Sequence, residues 1–149
     1  MRRPKPVQPK TRPATERLSA DELAALANLA VYQGSPYHKD SPNHFGEFRP
    51  RPGAISAEAA LAADSEPDCT ICPRKWAWRG GDVTKLLRQA ICDGFVSADA
   101  ERSSPPSRVW ARDPDMPELV YQARRLPSGA YYAYPLTRAQ AAKLPVRFA

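Results

Sequence analysis

Apolar and polar residues alternate along the C-terminal third of the chain with the two-residue period of β-strands. Three such runs cover residues 108–112, 119–125 and 130–134, and turn residues separate them at Asp113 and Gly129. Short turns between consecutive strands favour antiparallel pairing, so we predict an antiparallel β-meander of three to four strands. One face of its middle strand holds Leu119, Tyr121 and Ala123. The other face holds Val120, Gln122 and Arg124.

Apolar residues at helical spacing predict helices on either side of the long central loop. Residues 20–31 follow a capping box that begins at Ser19. Residues 82–92 form a second helix, which Asp82 caps and which Gly94 ends in a left-handed conformation. Two shorter helices are predicted, over residues 56–63 with Ser56 as cap and over residues 138–144 with Thr137 as cap.

The order of these elements places the chain in the α+β class. An N-terminal helix is followed by a long proline-rich loop, a second helix and the meander, which together form one domain over residues 19–149. Residues 1–18 hold six basic residues, one acidic residue and four prolines. They have too little apolar surface to offset the entropy of ordering, so we predict a disordered basic arm.

Composition limits the class of protein. The net charge is +6, but beyond the arm 16 basic residues face 15 acidic ones, so the domain itself is nearly neutral. The 17 prolines and the hydrophobic share of 42% indicate a modest core with long connections. No apolar run approaches the roughly 18 residues of a membrane helix, and no apolar signal-peptide core follows Met1. We therefore expect a cytoplasmic protein with no membrane partner.

Both histidines of the chain, His38 and His44, lie in residues 34–46. Lys39 disfavours the imidazolium form of His38, which keeps this histidine neutral and able to act as a base near pH 7. Metal-independent RNA cleavage needs a base for the 2′-hydroxyl, an acid for the leaving oxygen and cations for the phosphorane. The simpler alternative is that His38 only holds its loop in place by a hydrogen bond. The candidate catalytic residues are His38, Lys39, Arg108 and Tyr132.

Arginine and tyrosine recur on adjacent strands of the predicted meander. Guanidinium groups bind phosphate bidentately, and tyrosine can stack on a base or donate a hydrogen bond. This combination favours nucleic acid, and RNA in particular, as partner. The alternative is an ordinary solvated face on which arginines pair with Asp113, Asp115 or Glu118. The candidate nucleic-acid-binding residues are Arg74, Arg112, Arg124, Arg125 and Tyr134.

Trp76 and Trp78 alternate with cations in residues 73–80. In an extended strand both indoles face the same side. They serve either to stack on bases or, as is more common for tryptophan, to fill the core.

The number of cysteines is odd, so a complete disulfide framework is not predicted. Cys69 and Cys72 have C-x-x-C spacing, and with His38 and His44, or with Cys92, they could contribute to a tetrahedral zinc site. Free structural thiols are the simpler interpretation in a reducing cytosol. A thioredoxin-like role requires a strand before the motif, which the pattern does not show. We expect no cofactor, with zinc as the minor alternative.

Ordered motifs across about residues 32–136 resemble a family of small, mostly uncharacterised bacterial proteins. Its members read G-x-P-x-H-K, F-G, P-R-P, a cysteine, L-L-R-x-G-x-x-x-G-L-V-S, V-W-A and Y-H-G-Y-P. The matching residues here are GSPYHK at 34–39, FG at 45–46, RPRP at 49–52, Cys69, LLR at 86–88, DGFVS at 93–97, VWA at 109–111 and YYAYP at 131–135. The chain departs from the family at Tyr132, where members have histidine. If that histidine is catalytic in the family, Tyr132 cannot replace it as a base here and can only orient the substrate or donate a hydrogen bond.

The helix-then-meander order also resembles, in topology, the small ribonuclease toxins grouped around barnase, the colicin nucleases and RelE. This likeness implies a metal-independent endoribonuclease of the toxin kind, with a cognate inhibitor protein as a further partner. In this hypothesis His38 is the base, Lys39 and Arg108 stabilise charge, and Arg124 with Tyr132 holds the RNA.

Two alternatives stay open beside the ribonuclease hypothesis. The first is a non-catalytic, winged-helix-like module that binds nucleic acid or regulates, in which Arg88 and Gln89 are exposed in a groove-reading row. The second is an interaction protein that binds no nucleic acid, which the nearly neutral domain would suit.

Overall fold

The computed structural model describes residues 17–33, 54–64, 69–70, 73–76, 79–146 and 148. Within these ranges the helices are α1 (Ala20–Leu29), α2 (Ala57–Ala62), α3 (Gly80–Cys92) and α4 (Arg138–Ala142). The strands are β1 (Ala54–Ile55), β2 (Cys69–Thr70), β3 (Arg108–Arg112), β4 (Val120–Arg125) and β5 (Tyr131–Pro135). Helices followed by an antiparallel sheet confirm the predicted α+β class.

The main sheet is an antiparallel meander in the order β3-β4-β5. Short segments extend both of its edges. Val96 forms an antiparallel bridge to Val109 beside β3, and Tyr32 forms a parallel bridge to Tyr131 beside β5. Turns at the predicted places connect the strands, and Gly129 in the second turn has a φ of 91°, in the left-handed region that glycine favours.

Two strands of two residues each form a separate parallel pair that the sequence pattern did not indicate. β1 and β2 align Ala54 with Cys69 and Ile55 with Thr70. The buried Thr70 hydroxyl donates a hydrogen bond to the carbonyl oxygen of Pro135, which ties this pair to the end of β5. Strands this short leave no periodic signal in the sequence, because two residues cannot show alternation.

The inner face of the sheet packs against α1 and α3, where the largest group of buried apolar side chains lies. Leu23, Leu26 and Ala27 of α1 are buried, as are Leu87, Ala90 and Ile91 of α3. The sheet contributes Val109, Ala123 and Tyr131 to the same group. The leucines and alanines of the first helix therefore pack on α3 and share one buried cluster with the sheet.

Among the described residues, α4 and the residues that follow it cover one end of the outer face. Trp110, Val120 and Leu136 are buried there, and partly buried apolar side chains pack against them. These are Tyr134, Ala141, Leu144, Val146 and Phe148. The other end of the outer face carries charged residues, which are described below.

The helix ends agree with the sequence in part. Ser19 and Glu22 form the predicted capping box at α1. The prediction that Asp82 caps the second helix is wrong, because α3 begins two residues earlier and has Arg79 at its cap position. Asp82 instead accepts a 2.8 Å hydrogen bond from Nε of Arg79. At the other end, Gly94 has a φ of 80°, as predicted.

Two residues of the predicted basic arm belong to the described part of the chain. Leu18 is buried in the core beside α1. The Nη2 atom of Arg17 donates a 2.9 Å hydrogen bond to the carbonyl oxygen of Ala98. Residues 1–16 lie outside the described residues, and so does Trp78.

Candidate nucleic-acid interface on the outer sheet face

Three of the predicted site residues form a row across the outer face of the sheet. Arg108 in β3 lies directly opposite Arg124 in β4, and Arg124 lies directly opposite Tyr132 in β5. Neighbouring strands are about 4.8 Å apart, so the three side chains emerge side by side. Both arginines are exposed and Tyr132 is half-buried. We call these three residues the arginine–tyrosine row.

The two arginines of the row differ from the other described arginine side chains in their contacts. Seven guanidinium groups in the described part of the chain hold a carboxylate or a backbone carbonyl, whereas Arg108 and Arg124 hold neither among these residues. The seven are those of Arg17, Arg79, Arg88, Arg102, Arg112, Arg125 and Arg138.

Like charges directly opposite each other on neighbouring strands destabilise a sheet by some tenths of a kcal/mol up to about 1 kcal/mol. Arg108 and Arg124 are such a pair. An anion between them would relieve this repulsion and would accept hydrogen bonds from both guanidinium groups. The pair is therefore suited to bind a phosphate or a carboxylate.

One acid of the loop before β3, Asp99, is engaged within that loop. Asp99 accepts hydrogen bonds from the Ser97 hydroxyl and from the backbone N–H of Ser107, at 3.1 Å. Burial raises the pKa of Asp99, but the hydrogen bonds from the two serines outweigh this and leave its pKa below the usual value. The Ser97 hydroxyl oxygen in turn accepts from the backbone N–H of Arg108 at 3.0 Å. These contacts hold the loop that positions the start of β3.

Trp110, Gln122 and Tyr134 lie two residues along their strands from the row and are joined by side-chain hydrogen bonds. We call these three residues the ladder. Nε1 of Trp110 donates to Oε1 of Gln122 at 2.9 Å, and Nε2 of Gln122 donates to the hydroxyl oxygen of Tyr134 at 2.5 Å. The ring of Tyr134 lies 6.1 Å from that of Tyr132, at an interplanar angle of 33°. The ladder thus places a second aromatic ring beside the row.

The other predicted nucleic-acid-binding arginines lie apart from the row. Arg112 is at the far end of β3, where its guanidinium lies 4.6 Å above the ring of Phe148 and donates to the carbonyl oxygen of Pro117 at 2.7 Å. Arg125 follows Arg124 and therefore points to the opposite face, where Nη1 donates to the carbonyl oxygen of Pro105 at 2.6 Å. Arg74 lies in the 3₁₀ turn Arg74–Trp76.

Several predicted site residues lie outside the described part of the chain. These are His38, Lys39, His44 and Cys72. Cys69 lies in β2, and Cys92, the last residue of α3, is exposed instead of extending the apolar stripe. Among the described residues no group of three histidine, cysteine, aspartate or glutamate side chains is placed to hold a metal ion. The zinc site and the catalytic base stay predictions.

The most extensive polar network among the described residues was not predicted from the sequence. Lys75 forms ion pairs with Asp113 at 2.6 Å and with Asp115 at 2.8 Å. The other carboxylate oxygen of Asp113 accepts from the Tyr121 hydroxyl at 2.5 Å, and the oxygen of that hydroxyl accepts from Nε1 of Trp76 at 3.0 Å. Two of the three acids that the sequence offered as arginine partners thus hold a lysine 38 and 40 residues away.

Trp76 corrects a second prediction. It lies in a 3₁₀ turn and not in an extended strand. Its ring is partly buried, and it meets the ring of Tyr121 edge-on, with centroids 6.4 Å apart. Nζ of Lys75 lies 5.1 Å from the centre of the Trp76 ring, so the indole and the ion pair stabilise one another.

Charge and burial shift the pKa values within this network. Burial alone raises the pKa of Asp113, but hydrogen bonds from Lys75, Tyr121 and two backbone N–H groups lower it below the usual value. Burial lowers the pKa of Lys75, and the hydrogen bonds to Asp113 and Asp115 reverse this and raise it. Both groups are therefore charged near neutral pH. A stably ionised pair of this kind holds the turn between β3 and β4.

Tyr131 is a further buried titratable group, on the inner face of the sheet. Its hydroxyl donates to the carbonyl oxygen of Pro106, and burial raises its pKa to about 12. A phenol that stays neutral and hydrogen-bonded has a structural role, because it anchors β5 to the segment before β3.

The described residues thus provide a cationic and aromatic surface, and both histidines of the chain lie outside the described residues. Such a surface can bind an anion and stack a planar ring. No protein-family model matches the chain, and no solved structure matches it significantly. Among the described residues, no helix is long and apolar enough to span a membrane.

Proposed function

We propose that the protein binds RNA through the outer face of its sheet, with a phosphate held between Arg108 and Arg124. One observation carries this proposal. These two residues are directly opposite each other on neighbouring strands, and in the described part of the chain their guanidinium groups hold no acid or carbonyl, whereas those of seven other arginines do.

The chemistry of the surrounding residues supports a polyanion with bases over a single small anion. Tyr132 continues the row and Tyr134 lies beside it, so aromatic rings adjoin the phosphate position. The basic N-terminal residues add long-range attraction for phosphates, which is independent of sequence and sensitive to salt. A cytoplasmic location, where RNA is abundant, is part of the proposal.

A direct test measures the affinity of a labelled RNA hairpin with a single-stranded overhang by fluorescence anisotropy. We expect Arg108→Gln and Arg124→Gln each to weaken binding about tenfold, which corresponds to about 1.4 kcal/mol per lost charged hydrogen bond. Each loss should also reduce the slope of log K against log salt by about 1.

The matched control is Lys85→Gln, which removes one positive charge from an exposed position on α3, the helix that covers the opposite face. We expect this variant to bind almost as tightly as the wild type. Equal losses in the control and in the two row variants would contradict the proposed site. Tighter binding to a DNA hairpin of the same sequence would contradict RNA as the target.

The ribonuclease hypothesis goes one step further and stays a prediction, because His38 and Lys39 lie outside the described residues. The arginine–tyrosine row would supply charge stabilisation in such a reaction, and the base would come from elsewhere. Incubation of total RNA with the protein in the presence of EDTA, with His38→Ala in parallel, tests it. Equal and negligible cleavage by both proteins would end this hypothesis. An inhibitor protein, if there is one, would present acidic groups to the row.

The winged-helix-like alternative needs Arg88 and Gln89 exposed for groove reading. Arg88 is instead half-buried, and its Nε donates to the carbonyl oxygen of Ala30 at 3.1 Å, beyond the end of α1. Gln89 donates to Asp93 at 3.0 Å on its own helix. No contact of α3 therefore favours this alternative among the described residues.

A further inference from the structure

We propose that the RNA bound at this face is single-stranded and that one of its bases stacks on Tyr132, next to the phosphate between Arg108 and Arg124. This inference rests on the proposed function and narrows its substrate class. It follows from the row, the ladder and the shape of the surface.

The row puts a charged and an aromatic group at neighbouring positions. Tyr132 lies directly across from Arg124, one strand spacing of about 4.8 Å away. In a single strand of RNA, each phosphate has a base within reach on the same nucleotide unit. A strand that crosses the three β-strands along the row can therefore place a phosphate on the arginines and a base on the tyrosine at the same time.

The ladder fixes the aromatic side of this surface. The indole N–H of Trp110 can only donate, so it orients the Gln122 amide with its oxygen toward Trp110 and its NH₂ toward Tyr134. Tyr134 also packs against the buried cluster beneath α4, and its ring lies at 6.1 Å from that of Tyr132. A preorganised pair of rings loses little conformational entropy when a base stacks on it.

The shape of the surface favours a single strand over a duplex. Bases of a duplex are stacked on each other, so their faces are not available to a tyrosine. In an RNA duplex, the major groove is too deep and narrow for side chains to read. In a DNA duplex, the major groove admits a helix or a two-stranded ribbon, and a three-stranded sheet flanked by α4 is broader than either. A duplex would meet the row through its phosphates only.

The test compares three labelled ligands on the intact chain by fluorescence anisotropy. The ligands are a short single-stranded RNA, the same strand annealed to its complement, and a strand of equal length whose central nucleotides lack bases. We expect the single strand to bind at least about tenfold more tightly than either of the others, since one stacked base contributes about 5- to 150-fold. This comparison uses the wild-type protein and does not depend on any variant folding.

Two variants then assign the stacking to Tyr132. We expect Tyr132→Leu to weaken binding of the base-bearing strand about tenfold or more and to leave the abasic strand and the duplex unchanged. Tyr132→Phe keeps the ring and should bind the single strand within about twofold of the wild type. A variant that only disturbed the fold would weaken all three ligands together.

The outcomes separate this inference from the proposed function. If Arg108→Gln and Arg124→Gln weaken all ligands while duplex and abasic strands bind as tightly as the single strand, stacking on Tyr132 is refuted and RNA binding at the row stands. If Tyr132→Leu binds the base-bearing strand like the wild type, the same conclusion follows. If none of the three ligands binds, the proposed function itself falls.

Discussion

Asp113 accepts four hydrogen bonds, and its replacement by alanine gives a quantitative test of how the sheet is held. Lys75, Tyr121 and the backbone N–H groups of Asp115 and Met116 all donate to its carboxylate. The Asp113 side chain is fully buried, whereas 27% of the Lys75 side chain is exposed. The substitution therefore leaves a phenol and two amides without this acceptor, and it leaves the Lys75 ammonium with Asp115 alone.

The expected loss is about 3–5 kcal/mol in the free energy of unfolding, the range found when one partner of a buried ion pair is removed. The structure supplies a control that shares the same lysine. Asp115 also pairs with Lys75, but 77% of its side chain is exposed. Solvent screens such a pair, so Asp115→Ala should lose less than about 1 kcal/mol.

Urea unfolding at neutral pH, followed by circular dichroism, measures both variants against the wild type. The reasoning is refuted if Asp113→Ala loses no more than Asp115→Ala. The pH dependence provides a second check, because the folded-state pKa of Asp113 is lowered. Its contribution is present above the unfolded value of about 3.9 and is lost as the pH falls through the lower folded value. Asp113→Ala should therefore show a shallower acid limb than the wild type.

Three further perturbations test separate parts of the fold. Gly129 and Gly81 both have open space for a Cβ atom, but of the two only Gly129 has a positive φ. Gly129→Ala should therefore destabilise the protein by about 1 kcal/mol, whereas Gly81→Ala, in the first turn of α3, should stabilise it by up to about 1 kcal/mol. Equal effects of the two substitutions in urea unfolding would contradict this. The Tyr131 phenol, with its pKa raised to about 12, should add an ionisation step near pH 12 to an absorbance titration. Its stabilising contribution is present below about pH 10 and is lost as the pH rises toward 12, and a single titration step near pH 10 for all tyrosines would refute its burial. Arg124→Gln should leave stability unchanged or raise it by up to about 1 kcal/mol, because it removes a like-charge neighbour of Arg108; a clear loss of stability would show that the pair is part of the fold.

The sequence pattern was sufficient where a local signal and the tertiary structure agree. The capping box at Ser19 satisfies the first amides of α1 whatever the helix packs against. The alternation in β4 separates Ala123 from Arg124 because successive side chains of a strand point to opposite faces. The same rule brought Arg108, Arg124 and Tyr132 onto one face, although their alignment in one row required the register that the turns set.

The sequence was insufficient where partners are distant. Asp82 has the character of a helix cap, but the helix extends to Gly80 and Asp82 binds Arg79 within the first turn. In the sequence, Lys75 and Asp113 look like solvated surface charges. No residue near either of them in the sequence indicates that the turn before α3 contacts the turn between β3 and β4. That contact also explains why Trp76 is not in a strand: a 3₁₀ turn aims its indole N–H at Tyr121.

The proposed separation of phosphate binding from stability on this sheet has a physical origin in how its outer face is covered. The segment from α4 onward buries Trp110, Val120 and Leu136 at one end of that face, so the apolar residues there are protected from water. At the other end, the inner face already buries Val109 and Ala123, the strand neighbours of Arg108 and Arg124. The two arginines are thus attached to well-packed backbone without contributing to its packing. A pair in that position can repel itself at small cost to the fold while both side chains stay exposed, as the proposed phosphate site requires.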